Sequence, residues 1–372
     1  MAEPMPIGKI AGLLDTLISP QKGERLLFLT DYGIRSSSNG IWRADLLARW
    51  YKAAQLLAEQ KHFHLLPIVR YPETGKNNGD LPYKAVTHDG GHVNNLEELI
   101  ASSNIAIAMN EYSASAPLRN IAARCPALRI ISMPGVTAEM EMAMSADYGK
   151  MQERGKRLQA VVQSAAGFEI IFAGSGIPHG TKLYIDTRAA NWILEAGGCT
   201  KNGGFINFPS GELFTPPYEG VSEAGRREFG DSQTSGTWPV YSNTDKRVAF
   251  LKVERNRIIR VQGDCDAAQK IIEDIASDEN NANIAELGLG INDRARSTPD
   301  IPILESEKAG PHIAYGRNDH FGTPLTLAGK VKATVHQDFV YAKDSPITAT
   351  IHAVYANGRK VLIAERGKIV AV

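Results

Sequence analysis

Four short segments in the second half of the chain place carboxylates and imidazoles where charge is costly. Asn207-Phe-Pro-Ser-Gly-Glu212-Leu-Phe-Thr-Pro-Pro217 is a proline-bracketed run that holds Glu212 beside apolar residues. Ile284-Ala-Glu286-Leu-Gly-Leu-Gly-Ile-Asn292 leaves Glu286 alone in an apolar stretch. A carboxylate in such a place must be paired, hydrogen-bonded or bound to a metal, because an isolated buried charge is very unfavourable. Glu307-Lys-Ala-Gly-Pro-His312-Ile-Ala-Tyr-Gly316 sets an acid and a histidine five apart across a turn. Val335-His336-Gln-Asp338-Phe339 reads as a strand, and residues i and i+2 of a strand share one face, so both side chains can reach one ion. Three or four carboxylates with two histidines are a donor set that a pair of borderline divalent ions prefers. Two adjacent ions need a bridging carboxylate, a bridging water and enough negative charge to offset them.

Other chemistries leave no comparable trace. The chain contains no G-x-S-x-G elbow, no P-loop and no H-E-x-x-H. Gly174-Ser-Gly-Ile-Pro-His-Gly180 reads as a hairpin-like connection. In His88-Asp-Gly-Gly-His92 the two glycines deny the histidines a fixed helical face, so a solvated loop is expected. His62 and His64 flank Phe63 at the entry to a strand and read as structural.

The elements that must position the four segments fall into two textures. Up to about residue 166, apolar runs such as Leu26 to Thr30, His64 to Val69, Ile105 to Met109 and Leu128 to Ser132 alternate with helical patterns at Trp42 to Gln60, Leu96 to Ala101 and Leu118 to Ala123. Strands separated by helices imply a parallel sheet with crossovers. Thr137 to Ala165 reads as one long charged helical stretch leading to a second domain. From Phe168 onward short strands dominate, among them Glu169 to Phe172, Lys182 to Asp186, Arg247 to Val253 and Arg257 to Val261, with a helix at Asp266 to Ser277. Asn357-Gly358 and Arg366-Gly367 are hairpin signals. The expected architecture is an α/β N-terminal domain with a parallel sheet over residues 1–166. A strand-rich α+β domain over 167–372 would carry the metal site.

Composition narrows the partners. The 372 residues hold 41 Lys+Arg and 41 Asp+Glu, so the chain has no net field with which to hold nucleic acid or an anionic membrane surface. The N-terminus lacks the pattern of a signal peptide, and no apolar run approaches the length of a membrane span. Cys125, Cys199 and Cys265 are too few and too scattered for a disulfide framework or a thiolate zinc site. A cytoplasmic enzyme is the expectation.

Taken in order, the four segments resemble the metallo-aminopeptidases of the aminopeptidase T and aminopeptidase S type, often called leucyl aminopeptidases. The likeness covers most of the chain and is clearest from Phe168 onward, where Gly180-Thr-Lys-Leu183 matches a family turn. The resemblance implies Glu212, Glu286, Glu307, His312, His336 and Asp338 as ligands to two divalent ions of the zinc, cobalt or manganese type, with Glu286 shared. It implies a homodimer that removes N-terminal residues from a small peptide, with Glu212 or Glu286 moving the proton. In place of the family's tyrosine stands Asp319, next to His320, which could donate to an oxyanion. Pro209-Ser-Gly211 also resembles the related dihydroxypyridine ring-cleaving dioxygenases, which use one iron. A two-metal hydrolase of a small non-peptide amide or heterocycle is a further alternative.

Overall fold

The computed structural model describes residues 4–33, 38–200 and 203–372. Its contacts group the chain into two compact units, Met1–Tyr148 with Gly197–Ser210, and Gly149–Ala196 with Gly211–Val372. The chain therefore passes between units after residues 148, 196 and 210, where the sequence pattern suggests one crossing after 166.

The first unit is built on an eight-stranded sheet. Its order is Phe205–Asn207, Arg129–Ser132, Ile105–Ala108, Arg25–Tyr32, Val69–Pro72, Ala85–Thr87 and His92–Val93, with His64–Leu65 paired to the Arg25 strand. The pairs from Phe205–Asn207 through Val69–Pro72 are parallel, as the strand–helix alternation implies. Helices Ser38–Lys61, Leu96–Ala101 and Ser115–Arg124 supply crossovers. The Ile105 and Arg129 strands are buried along their whole length, which explains their unbroken apolar character. The run from His64 to Val69 is two short strands, because Pro67 interrupts it and cannot donate to a ladder. A helix at Ile7–Ile18, with Ile10, Leu14, Leu17 and Ile18 buried, was not expected from the sequence.

The stretch from Thr137 to Ala165 is not one helix. It divides into a 3₁₀ turn at Ala138–Met140, a short helix at Glu141–Met144 and a longer one at Tyr148–Val162. Ser145 turns its hydroxyl back onto the Met142 carbonyl (2.8 Å), and Asp147 precedes the second helix, where an acid favours a new N-terminus. That helix contributes to the second unit: a Cβ at Gly155 would lie 2.4 Å from Leu194 Cδ1, so glycine permits the close approach.

The second unit has two antiparallel sheets. One runs Arg257–Gln262, Val248–Glu254, Ser235–Tyr241, Lys182–Asp186, Gly167–Gly174, Ile347–Val354, Lys360–Glu365 and Lys368–Ile369. Both expected hairpins are present at its end, and the 174–180 segment joins two antiparallel neighbours. The other sheet runs Ile193–Glu195, Glu212–Thr215, Ile284–Gly290, Pro311–Gly316 and His336–Val340. Trp238 of the larger sheet meets Phe339 edge-on at 5.8 Å and hydrogen-bonds Tyr341 at 2.5 Å, which ties one face of the smaller sheet into the core.

Candidate metal centre

The opposite face of the smaller sheet gathers the four segments. Register places Glu212 opposite Gly290, Gly288 opposite His312, Glu286 opposite Ala314, and Ala314 and Gly316 opposite Asp338 and His336. Strand alternation then turns the large polar side chains to one side. The small residues between them are the reason the side chains fit. A Cβ at Gly288 would fall 1.9 Å from His312 Nε2, and one at Gly290 would lie 2.4 Å from the Glu307 carbonyl. The Leu-Gly-Leu-Gly run thus leaves one vacancy for an imidazole and another for the backbone that follows Glu307.

Glu212, Glu286 and His312 are all buried, and their candidate ligand atoms lie within 4.8 Å of one another. Glu286, His336 and Asp338 form a second group on the same criterion. Glu286 belongs to both. Its Oε1 lies 3.2 Å from His312 Nε2, and its Oε2 lies 3.2 Å from His336 Nε2. His312 Nε2 is also 3.4 Å from Glu212 Oε2, and His336 Nε2 is 3.6 Å from Asp338 Oδ2. Each ring faces a backbone carbonyl with its other nitrogen, His336 Nδ1 at 2.7 Å from Arg317 O and His312 Nδ1 at 3.3 Å from Gly310 O. A carbonyl on Nδ1 fixes the ring and leaves Nε2 for an ion.

The donor chemistry suits a divalent metal. Glu212 Oε2 and Asp338 Oδ1, one in each group, are buried oxygens that accept no hydrogen bond among the described residues. Such oxygens are costly unless a cation meets them. The same carboxylates raise the proton affinity of the two rings. Burial would lower both histidines, but Glu286 and the other carboxylates hold His312 up at about 10 and His336 at about 9. Burial would raise Glu286, yet its hydrogen bonds to both rings keep it well below the usual carboxylate range.

Glu307 stands outside both groups. It lies against Lys308, whose ammonium is 2.5 Å from Glu307 Oε1 and 2.5 Å from Glu212 Oε1. Burial raises the Glu307 carboxyl to about 8 against the opposing pull of Lys308, with Glu212 and Asp338 adding to the rise. Lys308 is completely buried; desolvation would lower it, but Glu212, Glu307 and Glu195 keep it charged. Sequence patterns alone did not single out Lys308 or Glu195. Glu195 is buried and sits directly across the strand pair from Glu212, in a run (Ile193-Leu-Glu195) of the same kind that marks Glu286.

His320 joins neither group but lies near: its ring is 5.5 Å from that of His336 and 3.9 Å from Phe321, centroid to centroid. Asp319 is bound through both oxygens by Arg317, at 2.5 and 3.2 Å. Burial would raise it, but His320 and Arg317 lower it to about 2, so it is an ionised acceptor and cannot stand in for a phenol.

No family model and no curated protein matches the chain. Solved structures that share its fold include two that align over nearly the full length of both chains. A 2,5-dihydroxypyridine dioxygenase from Pseudomonas putida KT2440 superposes with a TM-score of 0.66 at 13% identity, covering 99% of both chains. AmpT from Thermus thermophilus superposes with a TM-score of 0.56 at 15% identity, covering 98% of this chain and 99% of its own. At these identities the likeness is one of fold, with mixed α/β architecture and strand-rich sheets.

Proposed function

We propose that the protein is a two-ion metallohydrolase that releases N-terminal residues from small peptides, its catalytic machinery lying within residues 167–372. The observation that carries this reading is the pair of three-residue ligand groups that meet on Glu286, one oxygen toward each histidine. Charge supports it. In the protonation state that metal ligation requires, with neutral imidazoles and every carboxylate ionised, Glu212, Glu286, Glu307 and Asp338 against Lys308 leave an excess of three negative charges. One divalent ion leaves that excess at one. Two ions with a hydroxide balance it. The shared fold with AmpT and the motif resemblance to aminopeptidases of the T type agree with this assignment.

When bound, two such ions supply an acidified water and a polarised carbonyl. The chain's own residues do the rest. Glu286 fixes the spacing of the two halves, and the carbonyls of Gly310 and Arg317 aim the imidazoles. Glu307, partly exposed and outside both groups, is the carboxylate left to take a proton from water and return it to the departing amine. Glu286 turns one oxygen to each histidine, and Glu212 gives Oε1 to Lys308 and keeps Oε2 for an ion, so the proton-transfer role moves from them to Glu307. His320, whose ring lies 5.5 Å from that of His336, would donate toward the substrate oxyanion. By the same resemblance the protein is cytoplasmic and a homodimer, and sedimentation of the purified protein tests the dimer. Loaded with zinc, cobalt or manganese, it should release leucine from an aminoacyl anilide. Glu307→Gln should slow that release by about 100-fold or more while keeping its metal. Ion-loaded protein that leaves every small peptide and anilide intact would contradict the reading.

A specific observation favours a second reading, a one-iron dioxygenase acting on a hydroxylated pyridine. Lys308 already neutralises part of the Glu212 half, and a solved structure that shares the fold is a dioxygenase. Oxygen uptake with such substrates by the iron-loaded protein separates the two.

A further inference from the structure

Resting on the two-ion reading, we propose that Lys308 is an internal cation that makes the two halves of the centre unequal. The Glu286–His336–Asp338 half takes its ion first and tightly. The Glu212–Glu286–His312 half takes a second ion only weakly.

Three observations lead there. Lys308 cannot swing away: it is fully buried, its carbonyl accepts from Asn292 N at 2.9 Å, and a Cβ at Gly290 would lie 2.5 Å from its carbonyl carbon. Its ammonium divides Glu212, taking Oε1 at 2.5 Å and leaving only Oε2 toward His312. It also bonds Glu307, which lies outside both ligand groups. The local charge follows. Lys308 bonds a ligand of the Glu212 half, taking one of its carboxylate oxygens, whereas among the described residues it bonds no ligand of the Glu286–His336–Asp338 half. A fixed positive charge a few ångströms from a dication is repulsive in a medium that screens poorly. Lys308 acts on the ion through Glu212 and is a positioning residue, separate from the groups that would touch substrate.

Zinc titrated calorimetrically into the metal-stripped full-length protein, with a competing chelator, tests this. Two steps should appear, separated by about 100-fold in affinity. In Lys308→Met and Lys308→Gln the weak step should tighten by about tenfold or more, with the strong step within about threefold of the original. Asp338→Asn should remove the strong step. Two equal steps in the unaltered protein overturn the proposal, as does a weak step that is unmoved or weakened in a Lys308 variant whose circular dichroism is native. If Met leaves Glu212 and Glu307 too exposed to each other for folding, Gln keeps an amide donor in place. The spacing of steps in the unaltered protein remains decisive in either case. Absence of any zinc binding would instead overturn the two-ion reading beneath it.

Discussion

At the scale of single residues, protons and metal ions compete for the same oxygens. His312 and His336 are raised from 6.5 to about 10 and about 9 by the carboxylates around them, so the ion-free folded protein binds protons that the unfolded chain has released. The sign follows: this stabilisation is fully present below about pH 6.5 and is lost as pH rises through about 9 to about 10. Urea unfolding of chelator-treated protein should therefore show stability falling from pH 7 to 10, and saturating zinc should flatten that fall. A fall of equal size with and without zinc would mean that these histidines face no ion. Glu212, Glu286, His336 and Asp338 were legible in the sequence because a lone acid in an apolar run needs a cation or a donor beside it, and a His-x-Asp in a strand puts both groups on one face. Lys308 was not, since a lysine beside a glutamate is written the same way on an exposed surface; its burial depends on backbone that packs where Gly290 has no side chain.

Among the elements, the Ile284–Gly290 strand decides whether the centre can assemble. Gly288 gives its side-chain space to the His312 ring, and a methyl there would overlap Nε2. Gly288→Ala should cost about 1–3 kcal/mol or more through overpacking and abolish zinc binding, measured by thermal unfolding and metal analysis. A variant with unaltered metal content would show that the ring has another place to go. The glycines were visible in the sequence as neighbours of Glu286, but which atoms fill their space depends on the register with the His312 strand, which no local pattern encodes. The same limit applies to the segment from residue 137 to 165. Its polarity reads as continuous helix, yet Ser145 and Asp147 end one helix and begin another. The turn signal Asn357-Gly358 did place a hairpin, formed by the antiparallel strands Ile347–Val354 and Lys360–Glu365.

For the molecule as a whole, the chain order and the spatial grouping differ. The helix Tyr148–Val162 buries Met151, Leu158 and Val162, and residues 149–162 group with the unit that contains the candidate ligands. A fragment of residues 167–372 lacks that helix and should be aggregated or poorly folded, while one of residues 149–372 should retain zinc-dependent stabilisation; circular dichroism with and without zinc distinguishes them. A well-folded 167–372 fragment would show that the helix is dispensable. Among the described residues, no helix is long and apolar enough to cross a membrane. The central claim is that two ions share Glu286, and its most direct test is the number of metal ions per chain, by elemental analysis, in the zinc-saturated protein and in Glu286→Gln. The account predicts two ions in the first and neither held in the second, because the lost charge belongs to both halves. One ion in the unaltered protein, or a Glu286→Gln variant that keeps both, would contradict it.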